Sequence, residues 1–394
     1  MKNLNHNGRR IVALTNIPTP YRIHFYQAMA KELQKRHTVL EVLFMAATRP
    51  GRYWSIDPDQ WSFAHRFSNN LPIYFLGQPM YMNPDIILRI LREPPDCLLI
   101  SGAWFYPTTQ VSLWLLQNKR SRKFFWSESN MRGVRFANGP ISRWRSIAYR
   151  AFDGYIVPGK MAEEYLFHFC PEAHQRPVIR LPNLVDETLY AEGVDSHRVN
   201  KQYLRQQFNL SDDTKVLLMV ARLVPIKGIL ELLKAQECLD TERQRKFILL
   251  IAGEGLQRLE IEAFLRQHDL NNVRLLGHLR SEEILKYYAI ADGFILPSLG
   301  DPYPLAVTEA MFAGLPLLLS KNVGCHPEAL EGNLNGWVFD PLNAKQMRKV
   351  LQEFIEADWT ELAMMGRVSQ KIAASKFSTR KVIPDFVDRL FNNL

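Results

Sequence analysis

Nowhere does the sequence stay apolar for the roughly 18 residues that a membrane crossing demands. The opening "MKNLNHNGRR" lacks the apolar core of a secretory signal. Cysteine is scarce and scattered. Cys97, Cys170, Cys238 and Cys325 form no CxxC spacing, which argues against both a zinc site and a disulfide framework. These absences predict a reduced, cytoplasmic protein. Also missing are any internal repeat, any low-complexity tract and any helix-turn-helix, RRM or KH pattern, so nucleic acid is not an expected partner. The turn "IAGEGLQR" (251–258) stops short of a dinucleotide fingerprint because Arg258 stands where a third glycine belongs.

What is present fits a globular chain, with 47% apolar and 23% charged residues. At 394 residues it is too long for one ordinary core, and about two domains are expected. A formal charge of +9 and a pI near 9.3 point to an anionic partner. Basic residues interleave with aromatics in "QNKRSRKFFW", "SNMRGVRF" and "ISRWRSIAYRAF". Lys119, Arg120, Arg122, Lys123, Arg143 and Arg145 form either a solvated face with snorkelling side chains or a surface against anionic lipid headgroups. The second option would make the protein peripheral at the inner membrane face.

Short apolar runs alternate with helical patterns throughout. The first series is "RIVALTN" (10–16), "VLEVLFM" (39–45), "DCLLISG" (96–102), "KFFWSES" (123–129), "DGYIVPG" (153–159) and "PVIRLPN" (177–183), with an amphipathic helix near 23–36. A polar stretch, 186–214, reads as a connector with one surface helix. A second series follows: "KVLLMVAR" (215–222), "KFILLIAGEG" (246–255), "NVRLLGH" (272–278), "DGFILPS" (292–298) and "LPLLLS" (315–320). Strands separated by helices imply βαβ units and parallel sheets. The organisation expected is one Rossmann-like domain over 1–184 and another over 185–377. The segment 378–394, with an apolar stripe and a Pro384 that suggests a kink, is free to return to the first domain.

Several strand ends carry chemistry. "ARLVPIKG" sets Arg222 and Lys227 beside a helix start, where free N–H groups and the helix dipole favour an anion. Ordinary loop cations would look the same. Gly253 and Gly255 permit either a tight turn or close ligand approach. In "PSLGDPYPLAVTEAMFAG", Pro302 and Pro304 keep Asp301 in a loop, while Glu309 falls in the first turn of the helix that follows. In the first half, "NIPTPYR" presents Arg22, "SGAWFYP" presents Trp104 and Tyr106 as acceptor-side aromatics, and "WSESN" leaves Glu128 at a strand end. Core packing, helix capping or a salt bridge would also explain these last four.

The order of these motifs carries a resemblance. An Arg-x4-Lys-Gly turn, a "GEG" turn, "VRLLGHL", "ADGFILPS" and an acid-x7-Glu pair resemble the retaining GT-B glycosyltransferases of family 4, the glycosyl transferases group 1. The likeness is best from Val216 to about Pro341, includes "LPNLVDETLY" (181–190), and thins over the first half. It implies an α/β protein of GT-B fold, two Rossmann-like domains facing each other across a cleft. The implied activity is retaining, metal-independent, hexosyltransferase-type transfer from a nucleotide-sugar, with uridine diphosphate the commonest carrier. The nucleotide-sugar would be a substrate, so no cofactor is expected. The acceptor would be a hydroxyl of a lipid-linked glycan, a polysaccharide or a small natural product. A non-catalytic binding subunit, or a nucleotide-sugar hydrolase or epimerase on the same fold, are the rival readings.

Carried over by position, the resemblance gives Arg222 and Lys227 the donor diphosphate, Glu309 the ribose and Asp301 the donor sugar. Pro302, Tyr303, Pro304 and Leu305 complete the sugar loop, and Gly253, Gly255, His278 and Leu279 approach the nucleotide. Glu128 would stand beside the reaction. The departures gather around sugar and acceptor. Asp301 replaces the usual Glu, Pro304 a usual glycine, Glu128 a frequent His, and "NIPTPYR" a glycine-rich loop.

Overall fold

The computed structural model describes residues 8–48, 57–75, 78–134 and 136–394. Residues 1–7 and Arg135, which figure in the expectations above, lie outside them. The chain divides into two compact units, one of residues 1–182 with 379–394 and one of residues 183–378.

The first unit is built on the strands β1 (Arg10–Thr15), β2 (Val39–Phe44), β3 (Ala64–Phe67), β4 (Leu71–Phe75), β5 (Gln78–Met82), β6 (Cys97–Ser101), β7 (Arg122–Trp126), β8 (Gly154–Val157) and β9 (Val178–Arg180). Seven of them form a parallel sheet in the order β3-β2-β1-β6-β7-β8-β9, and β4 pairs with β5 as a separate antiparallel hairpin. Apolar runs such as Ile11–Leu14 and Leu98–Ile100 are buried throughout, because helices cover both faces of such a sheet. The first helix, Pro20–Gln34, begins at Pro20 and not near residue 23. A proline at the first helical position loses no intrahelical hydrogen bond and arrives with its φ already set.

The second unit contains β10 (Lys215–Val220), β11 (Phe247–Ala252), β12 (Val273–Gly277), β13 (Gly293–Leu296), β14 (Leu317–Ser320) and β15 (Gly336–Phe339). Its order, β12-β11-β10-β13-β14-β15, is again parallel throughout. In both sheets the winding reverses beside the first strand, between β1 and β6 and between β10 and β13. These are two Rossmann-like units, the composition of a GT-B fold. In open sheets of this kind ligands sit beyond the carboxyl ends of the strands at the point of reversal.

Two details differ from the sequence reading. The polar stretch 186–214 holds two helices, Glu187–Arg198 and Lys201–Gln207, and not one. The first is more than a connector, since Tyr190 and Val194 are buried and it packs on the helix Ser281–Ile290. The last helix, Thr379–Phe391, runs through Pro384 in one piece and packs on Pro20–Gln34. Ile383, Phe386, Val387 and Leu390 are all buried, which offsets the hydrogen bond that Pro384 cannot donate. The ring of Phe386 meets Phe25 edge-on at 5.8 Å, and Phe25 meets Trp126 at 4.9 Å.

The last helix is therefore part of the first unit's core. Phe386→Ala should cost about 3–5 kcal/mol by urea denaturation. A loss below about 1 kcal/mol would show that the helix is only loosely attached.

Candidate functional site

In the second unit, β10 and β13 flank the reversal point, and the loops after them carry the predicted charges. Arg222 follows β10 directly. A short 3-10 turn, Pro225–Lys227, then leads into the helix Ile229–Glu237. Gly228 makes the joint. Its φ is +68°, and a Cβ there would collide with the carbonyl of Pro297. The helix N-terminus thus lies against the loop that follows β13, with its first N–H groups directed past the strand ends.

That loop holds Asp301, which is only 8% exposed. Its backbone bridges to Val323, its N–H donates to the Asn322 carbonyl, and its own carbonyl accepts from Gly324 N–H at 2.8 Å. Its carboxylate accepts a charge-assisted hydrogen bond from Lys227 Nζ. The structure therefore pairs directly the cation that the sequence reading assigned to the donor diphosphate with the acid it assigned to the donor sugar.

Pro302 is exposed, whereas Tyr303 is buried and its carbonyl accepts from Asn183 Nδ2 at 3.4 Å. Pro304 caps the helix Leu305–Phe312. Because that helix opens at Leu305, Glu309 is its fifth residue and lies beyond the first turn, a correction to the expected position. Tyr288 donates its hydroxyl to Glu309 Oε2 at 2.9 Å, and the hydroxyl of Tyr190 lies near enough to favour the carboxylate as well. Burial pushes the Glu309 carboxyl above its ordinary range, while the two phenols pull it back. Burial and the adjacent carboxylate in turn hold Tyr190 and Tyr288 protonated. The two rings meet edge-on at 5.8 Å. Sequence reasoning missed this pair. The signal available was Tyr288 on the inner stripe of its helix, since a buried phenol needs a partner for its hydroxyl.

Gly253 and Gly255 have a structural explanation. A Cβ on Gly253 would overlap the carbonyl of Ala221, and one on Gly255 the backbone of Leu223. Gly253 N–H donates to Gly277 O at 2.8 Å, and Leu223 N–H donates to Glu254 O at 2.9 Å. The turns after β10, β11 and β12 are thereby stitched side by side. His278 and Leu279 follow directly, the first exposed and the second resting partly on the core.

In the first unit, Arg22 and Glu128 come together as an ion pair. The Arg22 guanidinium lies 3.6 Å from the centre of the Trp126 ring and donates from Nε to Tyr21 Oη at 3.3 Å. Its side chain is 7% exposed and that of Glu128 is 28% exposed, so the arginine is fixed and the carboxylate remains reachable. Trp104 and Tyr106 do not form an open stacking surface. Both are buried in the core, against Trp144 at 4.8 Å and Tyr81 at 4.8 Å respectively. The proposed basic surface loses two members. Lys123 is buried and paired with Asp153 at 2.9 Å, and Arg145 is buried over Phe169 at 4.2 Å. Among the described residues no cluster of His, Cys, Asp and Glu is placed to hold a metal ion, and no helix is long and apolar enough to cross a membrane.

Comparison with known proteins places this geometry in context. Residues 200–371 match the family described as Glycosyl transferases group 1. The amylovoran biosynthesis glycosyltransferase AmsK of Erwinia amylovora is 27% identical over 235 residues, covering 55% of this chain and 57% of that protein. The lipopolysaccharide 1,2-N-acetylglucosaminetransferase of Salmonella typhimurium is 27% identical over 197 residues, covering 48% and 51%. The chain spans about half the length of the curated relatives it matches. Over the full length the fold is similar to that of Anabaena HepE, solved with UDP and glucose (TM-score 0.71, 18% identity, 98% of this chain and 99% of that one). It is also similar to sucrose-phosphate synthase of Thermosynechococcus elongatus (TM-score 0.72, 17% identity, 98% of each chain).

The raised pKa of Glu309 makes stability depend on pH. Because the folded fold raises Glu309's pKa, its contribution is intact below the ordinary carboxylate range and is lost as pH rises through the raised value. Glu309→Gln removes that penalty. The variant should melt no lower than the parent at neutral pH and should lose any advantage at about pH 4. A variant that melts lower by the same margin at both values would refute the raised pKa. Lys227→Ala should cost on the order of 1–3 kcal/mol because the mostly buried Asp301 carboxylate loses its ammonium, with Asp301→Asn restoring most of the loss.

Proposed function

With residues 200–371 making this chain a member of the glycosyl transferases group 1, we propose that it moves a sugar from a nucleotide-diphosphate donor to a hydroxyl acceptor with retention of configuration. The observation that carries this reading is the convergence at one sheet edge. Arg222, Lys227 and the N-terminus of the helix Ile229–Glu237 supply positive charge beside the reversal point, and Asp301 faces them from the neighbouring loop. A departing diphosphate gains charge as its bond to the sugar lengthens, so fixed cations and dipoles there act most strongly in the transition state. In this role they stand in for a metal. Glu309, held by two tyrosine hydroxyls, presents the acceptor oxygens that a ribose diol requires. HepE solved with UDP and glucose supports uridine diphosphate as the carrier.

The Lys227–Asp301 pair refines the chemistry. Asp301 neutralises Lys227, and a diphosphate arriving at the turn would compete for the ammonium. That exchange releases the Asp301 carboxylate toward the sugar. Glu128, steadied by Arg22 at the end of β7, is a first-unit carboxylate exposed enough to address an acceptor hydroxyl. The same Lys227–Asp301 pair also favours a second reading, a nucleotide-holding subunit without transfer, because each residue already satisfies the other.

Turnover separates the two readings. Labelled UDP-sugars incubated with candidate glycan acceptors should yield UDP and extended product, and a chelator should leave the rate unchanged. Binding without UDP release under every acceptor would sink the enzyme reading, and release without acceptor would indicate hydrolysis. Arg222→Ala should weaken UDP binding by about 1.5–3 kcal/mol, roughly 10- to 100-fold, by calorimetry. Asp301→Asn should leave UDP affinity unchanged or raise it while transfer falls. Loss of UDP binding in that variant would disprove the exchange.

A further inference from the structure

One surface of the first unit is unlike the rest of the molecule and takes no part in the chemistry above. From Ser129 to Phe152 the chain has no Asp, Glu or Lys, and it carries Arg132, Arg135, Arg143, Arg145 and Arg150. The helix Pro140–Arg150 within this segment buries Arg145, Ala148 and Tyr149. Its opposite side, at helical spacing, exposes Arg143, Trp144, Ile147 and Arg150. Trp144 is 40% and Ile147 63% exposed, and the loop just before the helix leaves Met131 and Phe136 exposed at 38% and 41%.

The charges on this face are largely uncompensated. Arg150 pairs with Glu172 at 2.8 Å, but Arg132 and Arg143 have no acidic partner among the described residues. Arg145 is turned inward, so its conspicuous place in the sequence pattern contributes nothing here.

We propose that this face, the outer side of the helix Pro140–Arg150 with Met131, Arg132 and Phe136, docks on an anionic lipid bilayer. Two observations of different kinds converge on it. The unopposed Arg132 and Arg143 complement a negative surface, and the carboxylate that meets this face, Glu172, is paired with Arg150. The exposed side chains between them include Ile and Met, which gain nothing from a phosphate backbone but partition into the headgroup boundary, and Trp, whose amphipathic ring suits that depth. A nucleic acid would use the charge and leave the aliphatic groups in water, whereas a bilayer surface uses both the arginines and the exposed Met131, Phe136, Trp144 and Ile147. The trio Arg143, Trp144 and Ile147 sits on one helical stripe, so a shallow tangential insertion uses the whole of it.

The test is co-sedimentation of the full chain with vesicles of equimolar phosphatidylcholine and phosphatidylglycerol, against phosphatidylcholine alone. The chain should pellet with the mixed vesicles only, and raising NaCl from about 0.1 M to about 1 M should release most of it. Arg143→Glu should lower the partition coefficient on the order of fivefold or more. Ile147→Gln should lower it too, and its bound fraction should be the more salt-sensitive because less apolar contact remains. Neither side chain touches the core, so both variants should melt with the parent, and calorimetric UDP binding in the second unit should be intact. Equal recovery with both vesicle types, a parent that stays in solution with both, or variants that bind like the parent would overturn the proposal. So would a dimer in size-exclusion chromatography that Ile147→Gln dissolves, which would make the face a contact between copies.

Discussion

In a sheet whose strands all run one way, every strand ends at the same edge, and the interior on both faces is closed to polar chemistry. Both units obey this constraint. Their central strands are largely apolar, and the residues assigned to the candidate site lie in the loops that follow them: Arg222 after β10, Asp301 after β13, Glu128 after β7. The reversal of winding beside β10 opens room between two such loops. The charges meet there because the topology leaves no other place for them.

Crowding ionisable groups into that opening has an energetic consequence. Lys227 and Asp301 are mostly buried and satisfy each other. Glu309 keeps its position through Tyr190 and Tyr288 despite a burial that disfavours its charge. Each arrangement is stable only while its partners remain, and each leaves an acceptor or a donor near its limit. Pre-set groups of this kind suit an incoming ligand better than freely solvated ones, because they need little reorganisation.

Much of this was legible in the amino-acid order, and the exceptions have common causes. The buried parallel strands announce themselves as short apolar runs bounded by turns, so both series and the loops at their ends could be read directly. The strand β3, "AHRF", is polar at its two middle positions, and the hairpin strands β4 and β5 each contain a proline. None of these presents a periodic signal. The site was legible as residue types at strand ends, not as contacts. Tyr190 lies 119 positions before Glu309, and no local pattern links them. Exposure was the other blind spot. Arg145 and Lys123 look like surface cations, yet one lies over Phe169 and the other beside Asp153. Trp104 and Tyr106 look like a stacking platform and are core.

The return of the last helix to the first unit has a bearing on how the chain is made. Residues 183–378 are continuous and hold everything their core requires, whereas the first unit is closed by residues 379–394. During synthesis the amino-terminal half emerges first, yet the side of Phe25 that meets Phe386 has no cover until residues 379–394 leave the ribosome. The half that starts folding first is therefore finished last. A nascent chain held short of residue 379 carries the whole second unit and an open apolar seam on the first, the form in which a chaperone would find it.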